Sequence, residues 1–237
     1  MTKTLHAFGD SFVLGDQDDF DKYPGQYQYR IDELKNKVSF ASILARHYNL
    51  NYVNYADRGS GNYPQLDKLF LALTENKIQE NDIVIFGLTT FVRDRFVLTE
   101  FNKATASNFG PSLVDKQSIT QDISKVIDMD FYYINSVLNQ LARKFNVKII
   151  KFNLFDDLIS SSANYRLSEF VDFIGYDVKG NTLIDILNDA WGKGIDHPYH
   201  DQLKVPKGYE SLYTIKKHPS ELGHKKIAEW WIKNNIL

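Results

Sequence analysis

Cysteine is absent from the 237 residues, which removes disulfides, thiolate metal sites and a cysteine nucleophile from the range of chemistries. An excess of either charge is also missing. With 28 basic and 30 acidic residues the formal net charge is -2, so no global field draws the chain to phosphate backbones or anionic lipid, and nucleic acid is not an expected partner. No apolar run approaches the roughly 20 residues that span a bilayer. The start, MTKTLHAFGDSF, has too short an apolar stretch for a secretory signal. The expectations are therefore no membrane partner and a cytoplasmic location. Internal repeats, low-complexity tracts and linkers are not found either.

What is present is close to average for a soluble globular chain: 43% hydrophobic and 24% charged residues. The length suits one large core. The expected organisation is a single domain over 1–237, with irregular insertions near 15–37 and 155–214, where periodicity is weak and Gly and Pro recur. The oligomeric state is left open. Aromatics reach 14%. Phe12, Phe20, Tyr23, Tyr27 and Tyr29 crowd the early chain, where they suit a sugar-facing cleft and equally an ordinary core.

Apolar runs and periodicity give the elements. Thr4 to Phe8 reads as a buried strand ending at Gly9, and Val38 to Tyr48 as a helix through Phe40, Ile43 and Leu44. Asn51 to Tyr55 is a second strand, leading into the glycine turn Arg58-Gly59-Ser60-Gly61-Asn62. Leu66, Leu69, Phe70 and Leu73 recur at helical spacing, and Asp82 to Gly87 is the clearest buried strand. A long amphipathic helix follows over about 122–144, then a fourth strand over Val147 to Phe152. The last helix opens with Pro219 at its first position. Strands alternating with helices imply an α/β fold, a parallel sheet with helices on both faces. Such sheets carry their functional loops beyond the carboxyl ends of the strands. Gly9-Asp10-Ser11, Gly59-Ser60-Gly61 and Gly87-Leu88-Thr89 all fall there.

A serine hydroxyl becomes a competent nucleophile when a base takes its proton, and it is best exposed on a tight turn at a strand end. Ser11 is so placed, although Gly, Asp and Ser are also ordinary turn residues. The candidate base is His218, in His218-Pro219-Ser220-Glu221-Leu222-Gly223-His224; His224 competes with it but falls inside the helix. His197, His200 and Asp201 lie close in sequence as possible metal ligands, at a spacing that matches no metal motif, and are read as loop residues. No metal is expected there.

Gly9-Asp10-Ser11 after an amino-terminal strand, and a histidine before a proline, a helix and Gly-His near the carboxyl end, resemble the first and last sequence blocks of the SGNH/GDSL hydrolases. That resemblance implies a three-layer α/β/α sandwich of the flavodoxin-like type, no cofactor, and ester hydrolysis through an acyl-serine. It makes Ser11 the nucleophile and His218 the base. Asn54 to Gly59 has the spacing of the second block, which gives Gly59, with the Ser11 backbone, a place in the oxyanion hole. The third block, normally Gly-x-Asn-Asp, is altered to Gly87-Leu88-Thr89-Thr90, so Thr89 stands where an asparagine donor belongs, and Asn62 is a substitute donor or substrate contact. Arg93, with Arg95, is a candidate for an anionic substrate group. The family's acid, three residues before the base, is replaced by Ile215. This leaves either a dyad or a carboxylate from elsewhere, such as Asp196 or Asp201.

The substrate expected from this resemblance is a small-molecule or glycan ester, a carbohydrate O-acyl ester being favoured because no long apolar lid segment is present. The alternatives are a noncatalytic glycan-binding or structural module of the same fold, and a phosphate or nucleotide binder using Arg58 to Asn62. The glycine spacing of that loop fits neither a dinucleotide fingerprint nor a P-loop.

Overall fold

A computed structural model describes residues 2–15, 36–89, 121–154, 186–187, 212 and 218–237. Its strands are β1 (Thr4–Phe8), β2 (Asn51–Asn54), β3 (Ile83–Leu88) and β4 (Lys148–Asn153). Its helices are α1 (Ser11–Leu14), α2 (Phe40–His47), α3 (Asn62–Thr74), α4 (Gln121–Phe145) and α5 (Glu221–Lys233). The strands pair in parallel in the order β2-β1-β3-β4. The chain thus winds outward in both directions from the gap between β1 and β3. Such a switch point opens a crevice beyond the carboxyl ends of the two strands.

The two-residue period of the strands divides the core between two faces. Leu5, Ala7, Ile85, Ile150 and Phe152 join Phe40 and Leu44 of α2 and Ile227 and Trp231 of α5 on one face. Phe8, Val84, Phe86 and Leu88 join Leu69 and Leu73 of α3 and Ile134 and Leu138 of α4 on the other. This is the three-layer arrangement expected from the sequence. Among the described residues no helix is long and apolar enough to cross a membrane.

Two buried polar side chains of the sheet, His6 and Lys151, bond to named partners. His6 Nε2 meets Asp82 Oδ2 at 3.2 Å, and Asp82 also accepts the backbone N–H of Thr4 and Gln79. Burial lowers the His6 pKa although Asp82 pulls it up. Lys151 of β4 is buried and donates to Asn135 Oδ1 at 2.8 Å and Asn139 Oδ1 at 2.7 Å on α4.

Two local details differ from the sequence expectation. A four-residue helix, α1, begins at Ser11, because Asp10 caps it by accepting the Phe12 N–H. The last helix starts at Glu221 rather than at Pro219. Ser220 is its N-cap and accepts the Gly223 N–H at 3.1 Å, which leaves Pro219 just outside. The expected insertions near 15–37 and 155–214 lie almost entirely outside the described residues.

Candidate active site

The site is built at the switch point. β1 runs into Gly9, whose φ of +153° is open to glycine, and a Cβ there would lie 2.4 Å from Val13 Cγ2. The chain can then turn sharply, with Val13 packed close behind, and start α1 at Ser11. Ser11 Oγ is 2.9 Å from His218 Nε2, a contact between residues 207 apart in sequence. The His218 ring meets the edge of Phe12, centroids 5.3 Å apart, and the chain just after it is held by the Ser220 cap and by the Ser220 N–H to Leu212 O bond at 2.8 Å. The alcohol and imidazole expected from opposite ends of the sequence are therefore in hydrogen-bond reach.

His224, the competitor for the base, is elsewhere. It is fully buried in the first turns of α5, stacked on Phe40, and its Nδ1 accepts the Phe40 N–H at 3.2 Å. Burial first, then the nearby His218, lowers its pKa to about 3.

Two of the other expected residues, Thr89 and Asn62, have defined partners. Thr89 Oγ1 donates to Asp10 Oδ2 at 2.8 Å. Asn62, in the first turn of α3, accepts the Thr89 N–H at 2.9 Å and donates to Thr89 O at 3.0 Å. Gly59 is exposed, has φ +63°, and would place a Cβ with nothing within 4 Å. Gly61, the N-cap residue of α3, is the buried glycine of that loop. Arg93, Arg95, Asp196, His197, His200, Asp201 and Ile215 lie outside the described residues, as do Phe20, Tyr23, Tyr27 and Tyr29.

The sequence alone assigns no chemistry to Asp10 or Gln65, and it offers Phe12 only among the early aromatics that suit a sugar-facing cleft or a core. Asp10 was only a turn residue, yet its fully buried carboxylate receives both Phe12 and Thr89. Phe12 walls the imidazole. Gln65, buried three residues beyond Asn62 in the same turn of α3, accepts the Gly9 N–H at 3.1 Å and donates to Ser60 Oγ at 2.9 Å. The available signal was the Asn62/Gln65 spacing of three at the start of a helix that faces a strand-end loop.

No family model and no curated protein matches the sequence. Solved structures do. A lipolytic protein of the G-D-S-L family from Desulfitobacterium hafniense DCB-2 aligns over 100% of both chains at 13% identity with a TM-score of 0.51. A member of the lipolytic protein G-D-S-L family from Veillonella parvula DSM 2008 aligns over 98% of this chain and 97% of its own at 12% identity, TM-score 0.47. Axe2, an acetylxylan esterase from Geobacillus stearothermophilus, aligns over 98% and 94% at 15% identity, TM-score 0.46. The Desulfitobacterium protein, matched end to end, shares its α/β fold with this chain.

Proposed function

We propose that this chain is a divergent SGNH/GDSL ester hydrolase in which Ser11 is the nucleophile and His218 its base. The observation that carries the reading is the 2.9 Å contact between Ser11 Oγ and His218 Nε2 at the crevice between β1 and β3. Nε2, as acceptor, takes the hydroxyl proton as Oγ bonds to the ester carbonyl carbon, and negative charge moves to the carbonyl oxygen. Backbone N–H groups of Ser11 and of the Gly59 to Gly61 loop are the donors for that oxygen. Collapse breaks the bond to the alcohol oxygen, which leaves with the proton held by His218. Water then repeats the sequence on the acyl-serine and returns the proton to Ser11. No cofactor enters these steps.

For the substrate we propose an O-acyl ester of a small molecule or carbohydrate. A second reading, a noncatalytic glycan-binding module, is favoured by one observation: the hydroxyl at the position of the family's asparagine donor is bonded to Asp10. Hydrolysis of short-chain p-nitrophenyl esters by wild type and Ser11→Ala, with fluorophosphonate labelling read by intact mass, separates the two. The hydrolase reading expects one adduct and turnover in the wild type and neither in the variant; equal rates discard it.

A further inference from the structure

The geometry points to Thr89 and Asn62 as positioning residues for Ser11, acting through the buried carboxylate of Asp10; the inference rests on the hydrolase reading and extends it. Asp10 lies between two bonds. Its Oδ1 accepts the Phe12 N–H at 2.9 Å, which fixes the turn that presents Ser11, and its Oδ2 accepts the Thr89 hydroxyl at 2.8 Å. Thr89 is fixed in turn, because the Asn62 amide bonds both its N–H, at 2.9 Å, and its carbonyl, at 3.0 Å. All three side chains are buried: Asp10 0%, Thr89 4% and Asn62 1% exposed.

A hydroxyl has one proton to give. Here Thr89 gives it to Asp10, so its part is to orient the Ser11 turn and not to meet a developing oxyanion. Bonds to a carboxylate are stronger than neutral ones, and a buried carboxylate that loses a donor moves to find another. Any such movement of Asp10 passes to the next residue, Ser11, whose oxygen must stay within reach of His218. Gln65 adds a second hold from the same helix turn, through the Gly9 N–H on the other side of Asp10. The first turn of α3 is thus a frame that carries both the nucleophile loop and the β3 loop.

The test uses the full chain, p-nitrophenyl acetate hydrolysis and the rate of fluorophosphonate labelling. Thr89→Val removes the hydroxyl at nearly constant shape, and a displaced nucleophile is expected to lower kcat by about 10- to 100-fold with KM held within about two-fold. Thr89→Ser, which keeps the hydroxyl, is expected to restore the rate. Asp10→Ala removes both acceptors and so breaks the same relay, and the Asp10→Ala/Thr89→Val double variant loses no more than the worse single one. If circular dichroism shows that Asp10→Ala does not fold, the cycle is run between Thr89→Val and Asn62→Ala. Wild-type rates in Thr89→Val, or losses that multiply in the double variant as an independent oxyanion donor would give, overturn the inference. An inactive Ser11→Ala beside an unaffected Thr89→Val refutes the relay alone. A fully active Ser11→Ala, or a wild type with neither turnover nor labelling, refutes the hydrolase reading and the relay with it.

Discussion

His224 makes the acid sensitivity of the fold calculable. Its Nδ1 accepts the Phe40 N–H, so the ring is the neutral tautomer with its proton on Nε2, and it is wholly buried between α2 and α5. The folded-state pKa is about 3 against an ordinary 6.5. The unfolded chain therefore binds a proton below pH 6.5 that the folded chain refuses until about pH 3. Stability is fully present above the unfolded value and falls as pH drops through the window between the two, at about 1.4 kcal/mol per unit. Between pH 7 and pH 5 the loss due to this group is about 2 kcal/mol. Urea denaturation of wild type and His224→Asn at both pH values measures it, since the asparagine oxygen can accept the Phe40 N–H without titrating. His6, also lowered by burial, contributes a loss of the same sign in both proteins and cancels in the comparison. The wild type is expected to lose about 2 kcal/mol more than the variant. Equal losses would refute a neutral buried His224.

Two further outcomes follow from the turns beside the site. Gly9→Ala puts a methyl group 2.4 Å from Val13 Cγ2 at a φ that disfavours side chains; a stability loss of about 1–3 kcal/mol in urea and slower labelling of Ser11 are expected. Ser220→Ala removes the cap of α5, at a cost of about 1 kcal/mol, and loosens His218 two residues away. The expected kcat for p-nitrophenyl acetate falls, while Ser220→Thr keeps both the stability and the rate.

Elements set by apolar periodicity were legible in the sequence. Thr4 to Phe8 is β1 residue for residue, and the expected helix near 122–144 is α4 at Gln121–Phe145. Boundaries decided by a single side-chain bond were less legible: a proline at position 219 suits a first helical turn, but the Ser220 hydroxyl claims the cap. Within the site, the sequence order and blocks around Ser11 and His218 were enough to suggest their meeting. The bonding of Thr89 was not legible, because its hydroxyl is equally able to face a substrate or Asp10, and only the packed loops decide which acceptor lies at 2.8 Å. Gly59 and Gly61 present the same difficulty. Both are turn glycines in sequence, and burial tells them apart only after α3 is placed.

The Ser11 to His218 contact also bears on how this protein matures. Closing a loop of 207 residues is among the last and slowest pairings available to a chain of this size. The early strands β1, β2 and β3 can pair while the later chain is still being made, but the imidazole arrives only when α5 docks against α2 through Trp231 and Phe40. Appearance of hydrolysis during refolding would therefore mark the docking of that final helix, and should lag behind the spectroscopic signal of the sheet.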